Sequence, residues 1–477
     1  MTNPSPELPM RRVWLILIAV GMFTFMSTLD SSIVNIALPV IANTLHIPMN
    51  QATWAISIYL IGISGLLTFF GNLGDQLGKI KIFRYGTYVF TLGSLLAGIN
   101  LGLGFLLFAR IIQAIGAAMT MSNSFGISTT IAPPQMRARA MATIAMFVSL
   151  GAIAGPAVGG MILQVLPWSY IFWINVPLGI LTIIAGLFIF PKSQPRSKQT
   201  LRIDYPGVFT LFALITIFFV GINIAQEQGF LTFFPVVSYI ATIALLVGFI
   251  WWEKRALNPL LDLSIFKIQL FTISIIASFL VFASGFFISV LMPFYLQNLR
   301  LVSPGEAGLY MMAYPLAMLI GSPISGFVAD RFDRELVTLS ALTVMALALF
   351  MWFLVGQTTP LIWVAGLNAL SGFSTAFFNS PNNALTMSNA PRQQLGVAGS
   401  LNALARNLGM ITGTTAVTTA LYAGMSAKIG HHITTFPVGH PTIFVEGMHF
   451  AMLFGALLVV LAWLLTGYRV LIRLHNK

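Results

Sequence analysis

The sequence predicts an all-α membrane protein of fourteen spans. It reads as two six-helix bundles plus two additional transmembrane helices, with both termini cytoplasmic. Three observations carry this: the composition, the long apolar runs and an internal repeat. Of 477 residues, 57% are hydrophobic and only 8% charged, and the mean hydropathy is +0.89. Soluble domains carry about 25% charged residues. So few charges cannot cover a soluble surface, and so apolar a chain cannot be disordered. Cysteine is absent, which removes disulfides, thiolate metal sites and cysteine nucleophiles.

A helix needs roughly 20 apolar residues to cross the hydrocarbon. The runs are 13–37, 51–70, 82–101, 104–125, 138–164, 168–190, 206–224, 232–252, 270–298, 305–328, 336–356, 360–385, 394–424 and 446–471. They are continuous, unlike the short alternating segments of a β-barrel. Residues 1–12 end in Arg11 and Arg12, and the apolar run that follows outlasts a signal-peptide core, so no cleavable signal is expected.

With both termini inside, 20 of the 24 Lys and Arg residues fall on the cytoplasmic side and only Arg300 and Lys428 outside; Arg110 and Arg406 lie within spans. That is the positive-inside pattern. It explains the net charge of +12 without a nucleic-acid partner, because the cations sit against anionic headgroups.

The repeat shows in two landmarks. Gly71–Lys79, after span 2, resembles Gly326–Arg334, after span 10, with Asp75 and Asp330 offset by 255. Gly151 and Gly155 of span 5 match Gly409 and Gly413 of span 13, offset by 258. Nearly equal offsets indicate duplication. The divisions are a cytoplasmic N-terminus (1–12), a first bundle (13–190), a linker with two extra spans (191–269), a second bundle (270–471) and a short tail (472–477). Paired six-helix halves are a transporter architecture, with the cargo site near the midplane between them.

Asp30, in span 1, is the leading candidate for function. A carboxylate in the membrane is costly, and such residues usually face a cavity. Burial raises an acid's pKa, so Asp30 could exchange protons near neutrality or attract a cation. The structural alternative is a carboxylate hydrogen-bonded to Ser31, Ser32 or a neighbouring helix. Arg110 in span 4 is an intramembrane cation with Gln113 one turn away. It could tune Asp30, or bind backbone carbonyls of a neighbouring helix. Gly151, Gly155 and Gly159 fall on one helical face and permit close approach, while Pro156 removes a helical hydrogen bond. Asp75, between Gly71 and Gly78, could cap a helix or pair with Arg84, Arg137 or Arg139 and so latch the halves in the outward-facing state, a plain turn being the alternative; Asp330 and Arg334 occupy the repeated positions. Asn35, Gln113, Asn379, Asn382 and Asn383 are possible cavity residues. Ser303 and Glu306 read as a capping box, and Glu446 sits at a helix start. His431, His432 and His440 lack metal-ligand spacing, so no metal site is expected. Arg406-Asn407 reads as a structural polar contact.

These stretches resemble the major facilitator superfamily, in particular its fourteen-span drug:proton antiporters. The resemblance rests on Leu29–Pro39, Gly71–Lys79, Arg110–Gly116, Gly151–Gly160 and Trp168–Gly179. Ala114 and Gln76 depart from the family's usual glycine and arginine. The resemblance implies a monomeric, proton-coupled multidrug efflux antiporter of the cell membrane. The Gly151–Gly160 run would be the antiporter signature, bending where the halves meet, and Arg110 would serve proton coupling. The coupling ion would be the proton, with no cofactor, and the cargo small lipophilic compounds, cations among them. Absent cysteine and sorting signals suit a bacterial cytoplasmic membrane. A metabolite carrier on the same fold is the nearest rival. A membrane-embedded enzyme would need a catalytic cluster that the sequence does not show.

Overall fold

The computed structural model describes residues 9–133, 136–191, 204–256, 259–261, 263–391, 395–431, 433 and 441–475. Every apolar run falls on a helix. They are α1 (Met10–Leu45), α2 (Trp54–Leu77), α3 (Lys79–Ala97), α4 (Leu103–Ile131), α5 (Arg137–Val165), α6 (Asn175–Ile189), α7 (Tyr205–Gln228), α8 (Phe233–Glu253), α9 (Gln269–Phe294), α10 (Ala313–Arg331), α11 (Arg334–Met351), α12 (Leu361–Asn389), α13 (Leu395–Ile429) and α14 (Pro441–His475). Short helical turns, Tyr170–Trp173 and Pro304–Met311, lead into α6 and α10. Among the described residues, twelve helices are long and apolar enough to span a membrane. The two others are α3 and α13. Lys79, Lys81 and Arg84 crowd the start of α3, and α13 carries Asn402, Arg406, Asn407 and a run of threonines.

Packing repeats between the halves. In the first, α1 packs on α5 and α6, α4 on α2 and α3, and α3 on α6. In the second, α9 packs on α13 and α14, α12 on α10 and α11, and α11 on α14. Each contact of one set has its counterpart eight helices later. Helices α7 and α8 pack on each other, and α7 touches both α2 and α13.

Small residues make the repeated contacts possible. A Cβ on Gly151 or Gly155 would collide with α1 at Phe25, Thr28 and Ser32, and one on Gly159 with Ile33 and Ile36. Gly409 and Gly413 meet Phe279 and Ala283 of α9 in the same way. The Gly151–Gly159 stripe therefore lies inside the first half, not at the junction of the halves that the signature implied. The junction uses the adjoining face of α5. Gly308 packs beneath the Pro156 carbonyl, Gly160 against that of Pro304, and Gln164 donates to Ser303 Oγ at 3.4 Å. Gln297 adds a bond to the Ile36 carbonyl at 2.8 Å. All these contacts lie at the end of the helices remote from Met10.

At the opposite end, α11 and α14 are tied by charge. Arg469 is fully buried and donates Nε to Glu335 at 2.5 Å, with further bonds to Ser274, Asn382 and Thr338. The sequence reading counted Arg469 as a topology charge; tertiary packing makes it half of a buried ion pair. One turn on, Arg473 donates twice to Asp333, at 2.8 and 2.6 Å, while Asp333 caps α11 by accepting from the Glu335 N–H at 2.9 Å. Partial burial alone would raise the Asp333 pKa, but the Arg473 and backbone hydrogen bonds outweigh it and hold it below its ordinary 3.8.

Two tests follow from this packing. Gly155→Leu should push α5 off α1 and destabilise the fold by about 1–3 kcal/mol; a variant melting with wild type in detergent would contradict the close approach. Asp333 is stabilising only while ionised, so its contribution is present above pH 3.8 and lost as the pH falls through its lower folded-state value. The melting gap between wild type and Asp333→Asn should narrow as the pH falls below 3.8. A gap independent of pH would remove the ion pair as its cause.

Candidate functional site

Asp30 lies in the remote-end half of α1 and is 0% exposed. Its neighbours Ser31 and Ser32 turn elsewhere, to the carbonyls of Ser27, Leu29 and Gly151, so of the structural alternative the serines fall away and hydrogen bonding to neighbouring helices holds. The partners come from two other helices. Arg110 of α4 donates from a terminal guanidinium nitrogen to Oδ2 at 2.5 Å. Gln113, one turn on, donates Nε2 to Oδ1 at 2.8 Å, and Asn175, the first residue of α6, donates Nδ2 to the same oxygen at 2.8 Å.

A second layer fixes these donors. Arg110 also donates to Gln113 Oε1 at 2.6 Å and, through Nε, to the Ala55 carbonyl at 2.8 Å. Its guanidinium lies 4.0 Å from the centre of the Tyr59 ring. Tyr59 pairs with Ser27 through their hydroxyls at 3.2 Å, and Gln113 Nε2 reaches Ser94 Oγ at 2.8 Å. Each of these residues is buried. An ionised carboxylate only accepts, and this one faces three donors, one of them cationic. The arrangement is therefore built for the charged form, enclosed within the first half.

Asn175, Tyr59 and Ser94 were not singled out from the sequence. Asn175 had a signal: it is a polar residue inside the Trp168–Gly179 stretch, where the short Tyr170–Trp173 turn gives way to α6. Its Oδ1 is buried with no hydrogen-bond partner. Tyr59 and Ser94 look like ordinary helix residues until the helices are placed.

The remaining candidates divide. Asn35 is buried with Oδ1 unpartnered. Asn382 bonds to Ser274 and Arg469, which makes it part of the second-half ion-pair cluster rather than a cavity wall. Asn383 accepts from Asn402 at 2.9 Å, and Asn379 is half-buried on α12. Asp75 pairs with Lys79 four residues on, as Asp330 does with Arg334 at 3.6 Å. Arg84 bonds the Gly186 carbonyl. The side chains of Arg137 and Arg139, and residues His432 and His440, lie outside the described residues. Ser303 caps the Glu306 N–H at 3.3 Å, and Glu446 pairs with Lys428 at 3.2 Å. Arg406 is half-buried and stacks over Phe282 at 4.8 Å.

Removing one member of the Asp30–Arg110 pair strands a buried charge, at a cost of about 3–5 kcal/mol. Arg110→Gln should therefore lower the melting temperature sharply, and Asp30→Asn added to it should restore most of the loss. Equal melting of the single and double variants would show that the two charges do not interact.

A relative described as the riboflavin transporter RibZ of Clostridioides difficile (strain 630) is 31% identical over 405 residues, covering 85% of this chain and 87% of the relative. The multidrug export protein EmrB of Escherichia coli (strain K12) is 31% identical over 410 residues, covering 84% and 79%. Among solved structures, an inward-facing bacterial homologue of the human lysosomal transporter Spinster shares the fold. It has a TM-score of 0.65 at 15% identity, over 97% of this chain and 98% of that one. The family model of the Major Facilitator Superfamily matches residues 20–414, and the chain belongs to that superfamily of membrane transporters.

Proposed function

We propose that the protein is a proton-coupled multidrug efflux antiporter that exports lipophilic compounds, cations among them, by alternating access. The observation that carries this is the fully buried Asp30 carboxylate with Arg110, Gln113 and Asn175 as its donors. The multidrug relative EmrB supports the cargo class. In this reading all fourteen helices span a bacterial cytoplasmic membrane with both termini inside. Bundles 13–190 and 270–471 rock about a central site, and 191–269 links them. The contacts of Pro156, Gly160 and Gln297 then close the outer face.

Coupling follows from what Asp30 can hold. When ionised it binds Arg110 and the first half is locked. When protonated it becomes a donor, and the ion pair is lost. Asn175 has a spare oxygen, and turning its amide over would let that oxygen accept the new O–H. Protonation from outside and release inside would thus alternate two packings of α1, α4 and α6. Asp30 need not touch the cargo; its charge state biases which packing prevails. Exchange of one proton for one monovalent cation moves no net charge. Export of a neutral compound would also draw on the potential, about 2.3 kcal/mol per 100 mV.

The test is dye efflux from energised cells. Wild type should export, a protonophore should stop it, and Asp30→Asn should lose at least about tenfold in rate, since a charge-assisted hydrogen bond is at stake. Efflux indifferent to the protonophore would remove antiport, and normal efflux by Asp30→Asn would remove Asp30 as the coupling group. The riboflavin-transporter relative favours a second reading, a dedicated carrier of one metabolite. Labelled riboflavin entering cells that express the chain, without dye export, would decide for it.

A further inference from the structure

Three arginines lie deep among the helices, and two of them have acids. Arg110 holds Asp30 and Arg469 holds Glu335. Arg406 of α13 has neither an acid nor a hydrogen-bond partner among the described residues. Its guanidinium stacks over Phe282 of α9, and its Nε is buried and unbonded. A half-buried cation without a partner has donors to spare, and guanidinium cannot shed its proton.

Its surroundings are polar and fixed in height. Asn402, one turn before Arg406, donates to Asn383 of α12. The two helices are antiparallel, so that bond sets their register. One turn beyond it, about 6 Å along both axes, stand Arg406 on α13 and Asn379 on α12. Both are half-buried, with surface left open. Asn402 Oδ1 is a further buried polar atom without a partner. A planar fork of N–H donors, an amide at its level and an aromatic ring behind it together match a carboxylate attached to a flat apolar body.

We propose that Arg406, with Asn379 beside it, is the recognition site for a carboxylate on the cargo, so that the transported compounds include zwitterionic or anionic amphipaths. This rests on the transporter reading above and narrows its substrate class. Arg406 repels a purely cationic ligand, so the positive end of a zwitterion would point away from α13. Phe282 offers its ring to the ligand's apolar body, and Asn379 supplies a second donor. The guanidinium then gains the acceptor that no described residue gives it.

The experiment uses purified full-length protein in lipid nanodiscs and two probes that differ by one methyl group. One is a rhodamine with a free benzoate; the other is the same dye as its methyl ester. Fluorescence polarisation should show wild type preferring the acid. Arg406→Gln should lower acid affinity about tenfold or more and leave the ester within about twofold. Arg406→Lys keeps the charge without the fork and should fall between. Monodisperse elution of each variant checks that it is folded, and retained ester binding checks that the site is formed. Wild type that fails to bind the acid, or prefers the ester, overturns the proposal. So does Arg406→Gln that binds the acid like wild type or loses both dyes equally. Acid binding that depends on Arg406, without proton-driven export from cells, would instead sink the efflux reading and leave the carboxylate site standing.

Discussion

An ionised side chain surrounded by hydrocarbon and helix has no water to fall back on, so the rest of the structure must supply its counter-charge and hydrogen bonds. Asp30 and Arg110 meet that demand for each other, and Gln113 and Asn175, with Ala55, Tyr59 and Ser94 behind them, meet what remains. The cluster draws on α1, α2, α3, α4 and α6. Those helices cannot shift independently without exposing a charge. The first half thereby acquires a rigid centre.

The second half solves the same problem elsewhere. Its ion pair, Glu335 with Arg469, sits near the end close to Met10 and ties α11 to α14, with Ser274 of α9 and Asn382 of α12 drawn in. The duplication is therefore faithful in backbone packing, where glycine stripes on α5 and α13 meet α1 and α9. It is not faithful in buried charge, although the exposed pairs Asp75–Lys79 and Asp330–Arg334 do repeat. Packing is dictated by the shape of helices and tolerates polar divergence. A buried charge is dictated by function or by its own partner and need not be copied. Arg406 stands outside this logic, stacked over Phe282 with its Nε buried and unbonded.

The two kinds of contact divide the labour of motion. Within each half, close helix approach and buried ion pairs make displacement expensive. Between the halves, the junction at Pro156, Gly160, Gln164 and Gln297 is made of backbone surfaces and two neutral hydrogen bonds. Such a seam can part without stranding a charge. The helix α5 serves both roles on adjoining faces, fixed to α1 by Gly151, Gly155 and Gly159 and seated on the other half by the next positions round.

The membrane setting, the helices, the duplication and the identity of Asp30 and Arg110 as residues out of place in lipid are legible along the chain. These follow from local quantities: apolar run length, the position of cations at run ends, and the cost of a charge mid-run. Which groups meet was left to the packing. It chose Arg110, Gln113 and Asn175 over Ser31 and Ser32 as the partners of Asp30. It turned Asn382 away from a cavity and towards Arg469, converted Arg469 from a topology signal into a buried pair, and moved the glycine stripe from the seam into the first half. The reason is angular. Hydropathy along a chain fixes the depth of a residue in the membrane, but which neighbour its side chain reaches depends on how each helix is rotated, and that is set by all the other helices packed around it.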